Sequence, residues 1–207
     1  MRAPGVTAIV LAGGRSSRFG SPKLAVEIGG RPLLERAIDA AVAVADAVIV
    51  AGADAPEASV DRAGSTAIRS VADDAPFAGP LAGLSRALRE TTTALAIVVG
   101  GDMPTLVPAV LRAMLDRLGS DNAIDAVLLA GESSRRQVLP LAIDVRRASE
   151  GARAALAAGD RSLVGLLDRL RVHEIPAGEW LVLDPTGGTL LDIDRPADVL
   201  RIRNEMR

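Results

Sequence analysis

The run "TAIVLAGGRSSRFGSPK", residues 7–23, decides how the rest of the chain is read. Its first five residues, Thr7 to Leu11, are apolar and mostly β-branched, and a short run of this kind that stops at a pair of glycines reads as a buried strand delivered into a turn. The turn gathers Gly13, Gly14, Arg15, Arg18 and Lys23. Glycine lets main-chain N–H groups come close to a ligand, and the three cations add positive charge at the same place, so a cradle for a polyphosphate is expected. It is not a Walker A loop, because no Gly-Lys-Ser/Thr follows at the right spacing, and it is not the G-x-G-x-x-G of dinucleotide binders. A plain solvated turn is the competing reading, and the clustering of cations at a strand end argues against it.

Outward from this strand, short apolar runs alternate with Ala/Leu-rich segments. Strands are predicted at 47–51, 67–71, 94–99, 126–130 and 138–143, and helices at 32–45, 79–90, 108–119, 145–159, 161–170 and 195–206. Strands separated by helices of this length predict βαβ units. The expected fold class is therefore α/β: a single Rossmann-like domain over residues 1–207, three-layer α/β/α with a mostly parallel sheet. With 207 residues, 49% of them hydrophobic, the chain can bury a sizeable core.

Composition narrows the partners. A net charge of −2 offers no general basic field, so neither nucleic acid nor an anionic membrane is an expected ligand, and any phosphate must be met locally. The absence of cysteine excludes disulfides and thiolate metal sites. Residues 1–5 lead into the first strand without an apolar leader, and no apolar segment reaches the ~20 residues of a membrane span. A soluble cytoplasmic protein is expected.

Ligands of open parallel sheets bind beyond the carboxyl ends of the strands, and two further motifs fall there. In "IVVGGDMPTL", residues 97–106, Asp102 follows an apolar strand and two glycines. That is a fitting place for a ligand to a hard cation, since Mg²⁺ takes one or two protein carboxylates and completes its shell with substrate phosphates and water. A turn or helix cap is the alternative role for this carboxylate. In "SVADDAPFAGPLAGL", residues 70–84, Asp73 and Asp74 follow a strand, and Gly79-Pro80 opens a helix whose N–H groups can face a base or phosphate. An acid beside nucleotide phosphates would be repelled, so Asp73 is expected to accept from a base or sugar, with guanine N1–H and N2–H₂ as a matching donor pair.

Taken in order, "LAGGRSSRFGSPK", "GRPLLERA", "FAGPLAGL", "GGDMPTL" and "DIDRPADVL" resemble the nucleotidyltransferases of glycosyltransferase-A-like fold, and in particular the molybdenum cofactor guanylyltransferases. The likeness runs from residue 7 to about residue 200. It implies transfer of GMP from GTP to the terminal phosphate of molybdopterin carrying molybdenum, with release of pyrophosphate, and a molybdoenzyme or cofactor-insertion protein as recipient of the product. By position, Leu11, Ala12 and Gly13 would meet the guanine nucleotide through the backbone, Arg18 and Lys23 its phosphates, Asp73 the nucleotide, and Asp102 Mg²⁺. Arg18, Lys23 and Asp102 are then the expected catalytic residues. The acceptor phosphate is already ionised, so no base is needed to create the nucleophile.

Two departures stand out. Ala51 occupies a place where this family commonly has asparagine, and Asp192 and Asp194 stand where it usually has an Asn-x-Asn pair. The ending also resembles the related cytidylyltransferases, whose Gly-His-Pro segment is absent here. CTP, a sugar-phosphate acceptor and a non-catalytic nucleotide-binding role are the alternatives these departures leave. Asp192 and Asp194 are expected to cap the last helix at Pro196, with metal binding as the other option. His173, the only histidine, is given no role. Trp180 is expected to anchor the core rather than stack on a pterin, and Arg135 and Arg136 to be solvated.

Overall fold

The computed structural model describes residues 5–13, 23–72, 78–131 and 137–205. A seven-stranded sheet is formed by β1 (Val6–Leu11), β4 (Ala47–Ala51), β5 (Ala67–Val71), β6 (Leu95–Gly100), β7 (Ala126–Leu129), β8 (Leu141–Asp144) and β9 (Val172–Ile175), and a separate antiparallel hairpin by β2 (Glu27–Ile28) and β3 (Arg31–Pro32). The helices are α1 (Leu33–Val42), α2 (Glu57–Arg62), α3 (Pro80–Glu90), α4 (Pro108–Ser120), α5 (Val145–Ala157), α6 (Leu163–Leu167), α7 (Ala177–Trp180) and α8 (Pro196–Glu205).

The sheet runs in the order β5-β4-β1-β6-β8-β7-β9. All pairings are parallel except those of β8, which is antiparallel to both β6 and β7. The segment between β7 and β8 is too short for the crossover that a parallel pair needs, so β8 turns back. From β1 the chain passes outward through α1 to β4 and β5, then returns through α3 to β6 on the opposite side of β1. The strand order therefore reverses between β1 and β6, which is where such sheets open a crevice.

Strand side chains alternate between two cores, as a period of two requires. Ala8, Val10, Val48, Val50, Ile97 and Val99 face α1 and α4, which contribute Ile38, Leu111 and Met114. Ile9, Ile49, Ala96, Val98 and Leu128 face the other way, toward Leu84 of α3, Ala152 of α5 and Leu166 of α6. These two cores make the three layers expected from the sequence. A third, smaller cluster joins Ile28 and Leu33 of the hairpin region to Ile193 and to Val199 and Ile202 of α8.

At the rim opposite the crevice, Asp125 and Arg171 clasp β7 to β9. Both carboxylate oxygens of Asp125 accept from the Arg171 guanidinium, at 2.9 and 2.7 Å, and Oδ2 also accepts the Arg171 N–H at 3.0 Å. These bonds, led by the side-chain contact with Arg171, hold the Asp125 carboxyl down at about 2 against the desolvation that opposes them.

Candidate active site

The hydrogen-bond ladder continues one residue past the carboxyl ends of three strands. Ala12 N–H donates to Ala51 C=O at 2.8 Å, Gly101 N–H to Leu11 C=O at 2.9 Å, and Gly52 N–H to Val71 C=O at 2.9 Å. The floor of the crevice is thereby fixed by main chain. One consequence bears on the expected backbone contacts of Leu11, Ala12 and Gly13: the single N–H of Ala12 is committed to the sheet, while Gly13 beyond it is exposed.

Asp102 stands at the end of β6, behind two glycines that the site requires. A Cβ on Gly100 would lie 2.5 Å from Asp102 Oδ1 and 3.2 Å from Met103 Cγ, and one on Gly101 would press on Leu34 Cδ1 at 3.1 Å and on Leu11 O at 3.3 Å. Across the crevice, Lys23 opens a short 3₁₀ turn, Lys23–Ala25, that leads into the hairpin. Its ammonium donates to Asp102 Oδ2 at 2.8 Å and to Asp194 Oδ1 at 3.1 Å, with its side chain only 15% exposed. Burial alone would lower the Lys23 pKa. The hydrogen bonds and charges of Asp102 and then Asp194 outweigh that effect and raise it, so the amine is a firm cation.

Asp194 arrives from the far end of the chain. The segment carrying it is pinned by Ile193 N–H, which donates to Asp102 C=O at 3.0 Å, and by the fully buried Ile193 side chain. Asp192, one residue earlier, keeps an exposed side chain, yet its carboxyl is pushed up, first by loss of solvation and then by the carboxylates of Asp194 and Asp102. The expectation that Asp192 and Asp194 cap α8 is corrected. Asp198 Oδ2 accepts the N–H groups of Asp194 and Arg195, at 3.0 and 2.8 Å, which is the returning half of a capping box, and Asp194 is left to face Lys23.

A second correction concerns the start of α3. Pro80 has no N–H, Leu81 N–H donates to Arg161 C=O at 3.2 Å, and the N–H groups of Ala82 and Gly83 turn back to Gly79 C=O. Those amides are therefore not offered to a ligand. Gly79 has φ +92°, and its missing Cβ leaves room for Arg161, whose backbone oxygen would lie 2.9 Å from it. Of the expected site residues, Leu11, Ala12, Gly13, Lys23 and Asp102 are brought to one crevice. Gly14, Arg15, Arg18 and Asp73 lie outside the described residues, as do Arg135 and Arg136.

The donor set suits a hard divalent ion. Among the described residues no three histidine, cysteine or carboxylate groups converge into a protein-made cage. Mg²⁺ does not demand one, since it prefers one or two carboxylates together with phosphates and water. Asp102 and Asp194, brought together on the Lys23 ammonium, would supply oxygen ligands of that kind.

Trp180 and His173 behave as structural residues. Trp180 is 3% exposed and donates from Nε1 to Ala130 C=O at 3.0 Å. His173 lies on β9, with Nε2 buried and without a hydrogen-bond partner among the described residues.

The pattern of the MobA-like NTP transferase domain matches residues 8–174, which covers β1, Lys23, the β6 end and most of the sheet. The chain belongs to this family. It is a nucleotidyltransferase, and the resemblance drawn from the motifs holds. A relative from Chloroflexus aggregans, named "Probable molybdenum cofactor guanylyltransferase", is 33% identical over 202 residues, 94% of this chain and 91% of that one. The molybdenum cofactor guanylyltransferase of Xanthomonas euvesicatoria is 32% identical over 82% of each chain. Among solved structures, the molybdopterin-guanine dinucleotide biosynthesis protein A of Archaeoglobus fulgidus superposes with a TM-score of 0.75 over 97% of this chain and 98% of that one, at 22% identity, which speaks for the fold. No described helix of this MobA-like chain is long and apolar enough to cross a membrane.

Proposed function

We propose that this MobA-like chain transfers GMP from GTP to the terminal phosphate of molybdenum-bearing molybdopterin, forming the guanine dinucleotide cofactor and pyrophosphate. The observation that carries the reading is the Lys23 ammonium held between Asp102 and Asp194 at the switch point of the sheet, in a chain whose relatives carry the guanylyltransferase name. A phosphate oxygen of the acceptor attacks the α-phosphorus in line, the bond from that phosphorus to the bridging oxygen breaks, and pyrophosphate departs with its electrons. Such a reaction moves a centre of charge among anions, and it needs alignment and neutralisation more than proton transfer.

Each residue then has a task. Lys23 lies against the triphosphate as a permanent cation. Gly13 lets the chain pass close to the phosphates, and Gly14, Arg15 and Arg18 have the task of meeting those phosphates with a bare main chain and positive charge. The main chain at Leu11 and Ala12 forms the edge on which the nucleotide rests, and Asp73 accepts from the guanine. Asp102, with Asp192 or Asp194, would hold Mg²⁺, which when bound neutralises charge on the triphosphate. Residues 1–207 act as one nucleotidyltransferase domain in the cytoplasm, with a molybdoenzyme or cofactor-insertion protein as recipient.

Incubating the purified chain with molybdenum-bearing molybdopterin, Mg²⁺ and each of GTP, CTP, ATP and UTP tests this. Pyrophosphate release and the guanine dinucleotide product with GTP alone are expected. Turnover confined to CTP, or GTP binding without turnover, overturns it.

A further inference from the structure

A buried carboxylate, Asp184, organises the chain well upstream of the residues that reach Lys23. Only 2% of Asp184 is exposed. Its Oδ1 accepts from the Thr186 hydroxyl and its Oδ2 from the Thr189 N–H, both at 2.7 Å, which closes residues 184–190 into a compact turn. That turn is docked on the loop following Asp102: the Thr105 hydroxyl donates to Gly188 C=O at 2.8 Å, and Val107 N–H donates to the hydroxyl of the fully buried Thr189 at 3.2 Å. Loss of solvation opposes ionisation of Asp184, but the bonds from Thr186, Thr189 and Gly188 prevail and hold its carboxyl below the ordinary range. A buried charge is costly unless it is fully hydrogen-bonded, and an apolar side chain could fill the same space. What the carboxylate adds is one defined path for the main chain.

That path ends in the site. Residues 191–194 leave the docked turn, Ile193 N–H bonds Asp102 C=O, and Asp194 reaches Lys23. We infer that Asp184 is a positioning residue for the Lys23–Asp194 pair, setting through the turn 184–190 where Asp194 can place the ammonium. The inference rests on the assignment of Lys23 to the triphosphate made above.

The test is a double-mutant cycle in the full chain, with Asp184→Ala, Asp194→Ala and the pair. GTP affinity is measured by calorimetry without acceptor, and kcat and KM for GTP by pyrophosphate release. Each single change is expected to lower kcat/KM for GTP about tenfold, whereas Asp184→Ala made in the Asp194→Ala background should change it by less than about twofold. Asp184→Asn keeps an oxygen for the Thr189 N–H and should stay within about threefold of the parent. An equal loss from Asp184→Ala in both backgrounds, or an unchanged kcat/KM in the parent background, overturns the inference. So does an Asp184→Asn loss as large as that of alanine. Should Asp184→Ala not fold, Thr105→Val, which removes only the bond to Gly188, replaces it in the cycle with the same non-additive pattern expected and the same outcomes against it. A parent chain that neither binds nor turns over GTP overturns the proposed function and this inference with it; intact turnover without coupling overturns the inference alone.

Discussion

Lys23 is held by two carboxylates, one from the middle of the chain and one from near its end, and the two partners have different origins in the sequence. Asp102 is announced by the apolar strand and glycines before it. Asp194 is not, because Asp followed by Arg-Pro is also what a helix start looks like, and only the structure shows Asp198 taking the cap. Lys23→Ala should leave the fold intact, with a cooperative thermal transition close to that of the parent. It should weaken GTP binding by about a hundredfold, as expected for removing a charge-assisted contact in a partly dry site, and calorimetry measures this. Gly100→Ala tests the close approach behind Asp102. Its new methyl would press on Asp102 Oδ1 and turn the carboxylate, so kcat is expected to fall about tenfold or more with GTP affinity largely kept, a split that follows from misplacing a group that orients the reactants.

At the scale of elements, the long strands and helices were legible because each carries its own period and its own punctuation. The hairpin Glu27–Pro32 was not, since two-residue strands are too short to show alternation. The reversed direction of β8 was not legible either, because an apolar run looks the same whichever way it lies in a sheet. The amides at the start of α3 read as ligand donors, and a partner some eighty residues away, Arg161, takes one of them. The clasp between Asp125 and Arg171 makes an element-scale prediction about acid. The folded Asp125 carboxyl titrates at about 2 rather than the ordinary 3.8, so its contribution to stability is fully present above the unfolded value and fades as pH falls from about 4 to about 2. Urea unfolding of Asp125→Asn should show less stability at neutral pH and a flatter loss across that acid window than the parent.

For the whole molecule, the α/β class and the crevice at the carboxyl ends of the strands followed from the order of elements. The part that closes the crevice came from contacts between residues far apart, such as Lys23 with Asp194, which local patterns do not encode. A ligand that binds only the folded chain raises its apparent stability by mass action, by about 2.7 kcal/mol at a hundred times its dissociation constant. A thermal-shift series with GTP, CTP, ATP and UTP in Mg²⁺ is therefore expected to raise the melting temperature most with GTP, and equal shifts for all four would contradict selective reading of guanine.

The bond from Ile193 N–H to Asp102 C=O has a practical meaning for anyone who trims this protein. The family pattern stops at residue 174, and an excised piece ending there would keep every strand up to β7 and β8 but strip the cover from Ile28 and Leu33. It would also forfeit the Asp194 carboxylate that holds the lysine. Such a fragment should be sticky and idle, and any chimera meant to exchange substrate preference has to carry the last thirty or so residues along with the sheet.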